Sequence, residues 1–249
     1  MTFSLAGRCA RTGSFGVAAA TCDLAVGSRV AHAEAGVGAV ITQHRTDPRL
    51  GPQGLSLLRA GTAAGAVVEQ LVASTPHADW RQLAVIDSAG RTAACSGAKV
   101  VTTACEVHGL GCIAVGNCLA DAAVGSAMVA AFLAAPSEPL AERILRALEA
   151  GRDAGGQAGG TGAALTERSA SIKITKTGDS PGFAVLDLRV DIHHSAVHEM
   201  RRLYEFHNIY GEYSKLRDKS PKDSPSMVDY EAEYLRKSKT VIERPSVYR

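Results

Sequence analysis

Thr2 is the residue whose type and position most directly suggest chemistry. It follows Met1 and opens an apolar, strand-like run, Thr2-Phe3-Ser4-Leu5. Threonine is small enough for an aminopeptidase to remove the methionine before it, which would leave a hydroxyl and a free α-amine on one residue. The α-amine, with a pKa of about 7.7–8.0, could then act as the general base for that hydroxyl. The sequence therefore favours an N-terminal nucleophile, and the alternative is an ordinary Met-Thr start.

Two further side chains are candidates for catalysis beside Thr2. Asn117 follows Gly116 at the end of a predicted strand, where its amide could stabilise a tetrahedral oxyanion. The alternative is a turn asparagine whose side chain bonds to the local backbone. His44 leaves a buried strand over residues 36–41 and could carry a proton. Its alternative is a solvated loop position.

Five polar residues are candidates for binding a substrate. Thr42, Gln43 and Arg45 leave the same strand end as His44, where polar side chains often line pockets. Arg45 could clamp a carboxylate, because a guanidinium matches that group with two parallel hydrogen bonds. Arg29 and Glu34 could form an ion pair in a pocket or lie at a sheet edge. The expected substrate is a small molecule, with a carboxylate-bearing compound as one option.

Neither a metal nor a cofactor is predicted. His193 and His194, with His198, have the side chains of zinc ligands, but no carboxylate lies at ligand spacing. None of the six cysteines forms a Cys-x-x-Cys pair with a histidine at zinc spacing. Because the cysteines alternate with Ala, Gly and Val, we expect free thiols that behave as small buried hydrophobic groups.

The composition excludes several classes of function. The 249 residues are 46% hydrophobic and 21% charged, an ordinary balance for a globular protein. A formal net charge of +2 is too small to predict nucleic-acid binding. No apolar run approaches the roughly 20 residues that span a bilayer, and the N-terminus shows no signal-peptide pattern. We therefore expect a cytoplasmic protein that binds neither nucleic acid nor membrane.

The periodicity predicts strands and helices in an α+β order, with a mainly antiparallel sheet. Strands are predicted over residues 2–10, 16–21, 36–42, 81–86, 91–95, 110–115, 171–175 and 183–190. Helices are predicted between residues 48 and 72 with a break near Gly61, over 120–134, over 138–150 with Ser137 as N-cap, and over 196–217. Residues 151–162 are rich in glycine and are predicted to form a flexible loop. Helices outside two packed sheets would suit the strand count.

Several motifs resemble a bacterial family of unknown function, numbered 1028, that is assigned to the N-terminal-nucleophile (Ntn) hydrolase fold. They include the N-terminal run, the turn Arg11-Thr12-Gly13, Gly36-Val37-Gly38-Ala39-Val40-Ile41-Thr42-Gln43, Gly51-Pro52-Gln53-Gly54-Leu55, Arg81-Gln82-Leu83, Gly116-Asn117 and Asp187-Leu188-Arg189-Val190-Asp191. The resemblance covers roughly residues 2–205. It implies a four-layer αββα sandwich with Thr2 at the start of a central strand. Relatives usually carry an Asp and an Arg after the pair Gly155-Gly156, and this chain lacks both.

Three functional hypotheses follow. The first is a hydrolase of a small amide or related C–N bond, with Thr2 attacking after loss of Met1. The second is a non-covalent deaminase or hydrolase of an enamine or imine, in which pocket polar groups activate water. The third is a non-catalytic protein that binds a small ligand on the same scaffold, and the missing Asp and Arg favour it.

The chain is predicted to divide near residue 192. Residues 1–192 would form the Ntn-hydrolase-like domain, and 193–249 a helix followed by an extended tail. All six tyrosines lie in this second part, whose polarity argues against a core of its own. Pro221, Pro225 and Pro245 are predicted to keep the end extended. We therefore expect the tail to pack across a neighbouring subunit of a homodimer or larger oligomer.

Overall fold

The computed structural model describes residues 1–100, 103–159, 162–176 and 184–238. The strands in these residues are β1 (Thr2–Arg8), β2 (Phe15–Thr21), β3 (Ala31–Glu34), β4 (Gly38–His44), β5 (Arg81–Asp87), β6 (Thr92–Ser96), β7 (Ala104–Gly109), β8 (Cys112–Asn117), β9 (Gln157–Ala158), β10 (Ala164–Leu165), β11 (Ser169–Thr175) and β12 (Leu186–Val190). The α-helices are α1 (Leu50–Arg59), α2 (Ala64–Ser74), α3 (Ala123–Ala134), α4 (Leu140–Asp153), α5 (Ala196–Lys219) and α6 (Met227–Ser238). The fold is α+β.

The N-terminal strand lies inside a six-stranded antiparallel sheet with the order β12-β11-β2-β1-β8-β7. A hairpin joins β1 to β2, and its turn places Gly13 at a φ of 68°, where glycine has no steric penalty. On its other side β1 pairs with β8. The predicted hairpin and turn are confirmed, and they place Thr2 between two neighbouring strands.

A second antiparallel sheet has four strands in the order β3-β4-β5-β6. Its hairpin of β5 and β6 is confirmed, and so is the break near Gly61, which has a φ of 87° between α1 and α2. Helices α1 and α2 contact this sheet, whereas α3 and α4 contact the six-stranded sheet. A short pair, β9 and β10, forms a separate two-stranded sheet.

The two large sheets share one apolar core. Inward-facing residues of β1, β2 and β8 meet those of β3, β4 and β5 in a continuous buried cluster. In β1 the alternation of side chains sends Phe3 and Leu5 to one face and Ser4 and Ala6 to the other. Ala6 joins the cluster between the sheets, and Ser4 bonds to Gln43 of β4. Thr2 shares the face of Ser4.

Three local expectations are corrected. Ser137 does not cap α4, because Pro139 stands at the N-cap position and makes no side-chain cap. Residues 151–162 are not one flexible loop, since α4 continues to Asp153 and β9 pairs with β10. The strand predicted from residue 110 begins at Cys112, because Gly111 takes a φ of 66° in the turn that joins it to β7. Phe183, the first residue of a predicted strand, lies outside the described residues.

The chain contacts divide into two compact units, Met1–Arg201 and one that begins at Arg202. Within the second unit the expectation of an extended segment is wrong for residues 227–238, which form α6. Ser226 caps this helix by accepting a hydrogen bond from the Asp229 backbone N–H at 3.2 Å. Pro225 lies before the cap, where its fixed φ does not disturb the helix. Pro245 lies outside the described residues.

The tyrosines of the second unit bond inside it. Tyr213 donates to the Pro225 carbonyl at 3.1 Å, and Tyr230 donates to the Ile209 carbonyl at 2.8 Å. The Tyr213 and Tyr230 rings lie 4.8 Å apart. These contacts hold α5 and α6 together, so part of the aromatic concentration has a local explanation. Packing against another subunit stays a prediction. In the described part of the chain, no helix is both long and apolar enough to cross a bilayer.

Candidate active site

Thr2 lines a cleft in the first unit. Its residue is 5% exposed, and the strand register places it opposite Thr21 of β2 and Asn117 of β8. The cleft has a volume of about 360 Å³. It is lined by Met1, Thr2, Thr21, Asp23, Val26, Arg29, Val30, His44, Arg45, Thr46 and Arg81. The first strand thus delivers its opening residue to a solvent-accessible space.

A pair of hydroxyls connects Thr2 to the preceding main chain. The Thr2 hydroxyl donates to Oγ1 of Thr21 at 3.4 Å. The Thr21 hydroxyl in turn donates to the carbonyl oxygen of Met1. The peptide group that joins Met1 to Thr2 is therefore within reach of Thr21. Removal of Met1 would take this acceptor away and leave the α-amine of Thr2 beside the Thr21 hydroxyl.

His44 enters the cleft from the end of β4 in a strained backbone conformation, with a φ of 70°. Its Nδ1 lies 2.9 Å from the Trp80 carbonyl oxygen, and its ring stacks on the Trp80 ring with centroids 6.4 Å apart. Because a carbonyl only accepts, Nδ1 carries the proton and Nε2 presents a lone pair. Burial lowers the pKa of His44, and the positive N-terminus and Arg45 lower it further, outweighing the Trp80 carbonyl. The lowered pKa favours the neutral imidazole at neutral pH.

The remaining charges of the cleft are mainly positive. Arg29 pairs with Asp23 at 2.9 Å. Arg45 is exposed, with its guanidinium carbon 5.9 Å from the Trp80 ring centroid. Arg81 has a buried Nε with no hydrogen-bond partner. Neither Arg45 nor Arg81 forms a salt bridge among the described residues. The cleft therefore has two guanidinium groups that form no salt bridge among the described residues. The nearby Asp47 carboxylate, whose pKa is lowered chiefly by its hydrogen bond to Arg49 and also by the charge of Arg81, offsets part of this charge. The remaining positive charge suits an anion.

A buried amide network lies between the sheets beside Thr2. Gln82 donates from Nε2 to the Gly116 carbonyl at 2.9 Å, so its Oε1 must be the accepting atom. That oxygen accepts from Gln43 Nε2 at 2.7 Å and from Asn117 Nδ2 at 2.9 Å. The chain of donors leaves Asn117 Oδ1 buried with no partner among the described residues. An unpaired buried acceptor is costly, and this one belongs to the residue directly opposite Thr2.

The sequence-predicted residues divide into three groups. Thr2, Arg29, His44 and Arg45 line the cleft together. Gln43 and Asn117 do not line it and instead form the network between the sheets. Thr42 and Glu34 lie elsewhere, and their placement has a separate physical cause.

The alternation of side chains along a strand explains the position of the Thr42 side chain. Thr42 neighbours Gln43 in β4, so the two side chains must leave opposite faces. Its hydroxyl donates to the Asp47 carbonyl at 3.2 Å, away from the network.

Glu34 bonds to Arg59 of α1, with Arg59 Nε 2.9 Å from Glu34 Oε1. The expected pair between Arg29 and Glu34 does not form, because Arg29 contacts Asp23. Thr42 and Glu34 are therefore outside the cleft.

Comparison with known proteins identifies the family. A family model described as a family of unknown function, DUF1028, matches residues 2–200. The chain belongs to this family. A crystal structure of a DUF1028 protein from Silicibacter pomeroyi is similar, with 28% identity and a TM-score of 0.74 over 83% of this chain and 89% of that one. Anbu, an ancestral beta-subunit from Yersinia bercovieri, aligns with 12% identity and a TM-score of 0.35 over 86% of this chain and 97% of its own. None of the curated proteins matches.

Several residues of this DUF1028 protein were missed as site candidates from the sequence. Thr21 is the cross-strand partner of Thr2, a pairing that the predicted hairpin register could have supplied. Gln82 lies opposite Gln43 in the pairing of β4 with β5, which needed knowledge of that pairing. Arg81 and Asp23 reach the cleft from separate segments. Among the described residues, no cluster of His, Cys, Asp and Glu could hold a metal ion.

Proposed function

We propose that this DUF1028 protein hydrolyses a small amide or related C–N bond, with Thr2 as N-terminal nucleophile after loss of Met1. The observation that carries the proposal is the position of the Thr2 hydroxyl, in the lining of a cationic cleft and bonded to Thr21. We further propose the four-layer αββα arrangement of Ntn hydrolases. The contacts of α1 and α2 with one sheet and of α3 and α4 with the other support it.

The chemistry needs no group beyond the chain and water. The α-amine of Thr2 accepts the hydroxyl proton as Oγ1 forms a bond to the substrate carbonyl carbon. The resulting ammonium returns a proton to the leaving nitrogen when the C–N bond breaks, and an ester on Thr2 remains. Water, deprotonated by the same amine, then attacks the ester and releases the acid. Each proton taken up is given back, so the enzyme is restored.

Two neighbours of Thr2 fit roles in this reaction. Asn117 Oδ1 lies on the residue opposite Thr2 and has no partner in the described part of the chain, so it could accept a hydrogen bond from the α-ammonium and fix its position. The predicted use of Asn117 as an oxyanion donor would rest on its second amide hydrogen, since Gln82 accepts the first. Thr21 could accept a hydrogen bond from the amine or from the Thr2 hydroxyl. Both would act as positioning residues.

The substrate is proposed to carry a negative charge. Arg45 and Arg81 line the cleft without a salt bridge among the described residues, and a guanidinium binds a carboxylate with two parallel hydrogen bonds. A carboxylate held there would leave the scissile bond near Thr2. N-acyl amino acids and carboxylate-bearing amides are therefore the compounds to test first.

Intact mass and turnover test the mechanism together. The purified chain should lack the mass of Met1, and Thr2→Ala should abolish hydrolysis across a panel of such amides, followed by mass spectrometry of the products. Thr166→Ala changes an exposed threonine and serves as the matched control, with full activity expected. An active preparation that retains Met1 would contradict the mechanism whatever the fold.

His44 favours a second candidate function, a non-covalent deaminase or hydrolase of an enamine or imine. Its neutral Nε2 could take a proton from water in the cleft. Such an enzyme would keep its activity in Thr2→Ala and lose it in His44→Gln. If neither variant changes turnover but carboxylates raise the melting temperature, the protein binds its ligand without reaction.

We also propose a reducing cytoplasm as its compartment, since all six cysteines are free thiols.

A further inference from the structure

A second cleft lies at the far end of β1 from Thr2. Arg8, the last residue of that strand, lines it, so the two clefts are separated by roughly 20 Å of strand. The cleft has a volume of about 430 Å³. Arg11 of the first hairpin turn and Arg143 of α4 line it as well, and no carboxylate lies among its described lining residues. Three cations thus face one space with no anion in its wall.

Arg143 is the most deeply placed of these cations, with 6% of its surface exposed. Its Nε donates to the Phe132 carbonyl at 3.1 Å, and its guanidinium carbon lies 3.9 Å from the Phe132 ring centroid. The ring and the carbonyl satisfy part of the charge. Burial lowers the pKa of Arg143, the thiols of Cys9 and Cys112 oppose this, and Arg11 lowers it further. Buried charges in proteins are normally paired.

Arg8 and Arg11 also form no salt bridge with a carboxylate of the described residues. The Nε atom of Arg8 is buried and has no hydrogen-bond partner among the described residues. Arg11 donates to the Ser137 carbonyl at 3.0 Å. The contrast with other partly covered arginines is clear, since Arg59 and Arg201 both contact glutamates. The cleft is therefore a place where the fold concentrates positive charge that its own described carboxylates do not neutralise.

Part of the wall of the cleft is apolar. Leu110, at the turn between β7 and β8, is 90% exposed, and Leu133 of α3 is exposed as well. An exposed leucine alone needs no explanation. Two of them in one wall with three guanidinium groups form a surface that is both cationic and apolar, which matches an amphiphilic anion.

We propose that this cleft binds a small organic acid, with its carboxylate on Arg8, Arg11 and Arg143 and its apolar chain against Leu110 and Leu133. Each guanidinium can hold a carboxylate with two parallel charge-assisted bonds. Binding would neutralise the positive charge that the described carboxylates leave unpaired at Arg143. The site is independent of Thr2 and of any reaction in the first cleft.

Calorimetric titration of the full chain with hexanoate tests the proposal. Hexanoate should bind at least about ten-fold more tightly than acetate, which lacks the chain, and than hexanol, which lacks the charge. Arg11→Met and Arg143→Met should each weaken hexanoate binding by about ten-fold or more. Arg11 is exposed, so its variant keeps the test valid if Arg143→Met does not fold.

Two variants separate this cleft from the first one and from a general loss of surface charge. Arg236→Met removes an exposed arginine of α6 that lines neither cleft, and it should leave hexanoate binding unchanged. Arg45→Met removes a cation of the Thr2 cleft, which is itself proposed to hold carboxylates, so it reports any hexanoate bound there and should not remove the binding that Arg11→Met weakens. The proposal is overturned if hexanoate does not bind, if Arg45→Met abolishes binding while Arg11→Met does not, or if inorganic phosphate binds more tightly than hexanoate.

Discussion

Asn117 and Gln82 are joined across the two large sheets by a buried hydrogen bond, Nδ2 to Oε1, of 2.9 Å. Gln82 also accepts from Gln43 and donates to Gly116, so one side chain fixes the amide orientation of two others. Apolar side chains would have filled this part of the core without needing hydrogen-bond partners. The polar network is instead located beside Thr2, where it leaves on Asn117 an acceptor that no described residue satisfies.

Replacing Gln82 should therefore cost stability. Gln82→Met fills a similar volume but removes the acceptor of Asn117 Nδ2 and a donor to the Gly116 carbonyl, and it leaves Gln43 Nε2 with only its longer bond of 3.4 Å to the Val115 carbonyl. Each such group costs about 1–3 kcal/mol, and relaxation of the network should limit the total to about 2–5 kcal/mol in the free energy of unfolding. Urea titration measures it. Gln70→Met, at an exposed position of α2, is the control and should change stability by less than about 0.5 kcal/mol. Equal effects of the two changes would contradict the network.

His44 should make stability depend on pH. Its folded pKa lies below the ordinary value of 6.5, so the unfolded chain binds this proton first as pH falls. The stability contribution is present above about pH 6.5 and is lost as pH decreases through the folded pKa. The melting temperature should fall less between pH 7.5 and 5.5 in His44→Gln than in the parent chain. His32 also has a lowered pKa, chiefly through burial, so a remaining slope is expected. Identical slopes would contradict the assignment.

Arg45 should set the working pH of the proposed nucleophile. A nearby positive charge disfavours the protonated α-amine and lowers its pKa. In Arg45→Met the acidic limb of the kcat/KM profile should shift to higher pH, by about 0.3–1 pH unit for an exposed charge. KM for a carboxylate-bearing substrate should rise as well. Arg49→Met, an exposed arginine outside the lining of the cleft, should alter neither. A shift to lower pH would show that Arg45 does not act on the amine.

Glu34 provides a stability test that is independent of catalysis. Its carboxylate is buried and contacts Arg59, which is about half exposed. Arg59→Met leaves that carboxylate without its cation and should lower the free energy of unfolding by about 1–3 kcal/mol. Turnover should not change, because both residues lie outside the cleft. Loss of activity in a folded Arg59→Met protein would instead indicate that Glu34 contributes to substrate binding.

These placements show what the sequence could and could not predict. The hairpin of β1 and β2 follows from local periodicity and the turn at Gly13, and it puts Thr2 and Thr21 together. Thr42 was predicted beside Gln43, although the two-residue repeat of a strand forbids adjacent side chains from sharing a face. The pairing of Glu34 with Arg59 joins residues 25 positions apart, and no local pattern encodes it.

The sequence contains a local signal for the start of α6, but the prediction of an extended segment gave more weight to the prolines. Ser226 and Asp229 have the spacing of an N-cap with an acidic residue in the first turn. Pro221 and Pro225 were interpreted as keeping the segment extended, yet both precede the cap, where proline does not interrupt a helix. The cleft of Arg8, Arg11 and Arg143 had no such signal, because β1, a turn and α4 meet there only in the folded chain.

The last prediction concerns the second unit and the proposed oligomer. The contacts of Tyr213 with Pro225 and of Tyr230 with Ile209 show how α6 is attached to α5. A chain that ends after Asp218 loses α6 and exposes Ile209 and Tyr213, both buried in the described structure. If α6 and the residues beyond it join a neighbouring subunit, light scattering should give the mass of a monomer for this truncation. Tyr230→Phe, which removes only one hydroxyl bond, should keep the oligomer and cost about 0.5–1.5 kcal/mol. A full-length chain that is already monomeric, or a truncation with unchanged mass and unchanged Tm, would rule the intersubunit role out.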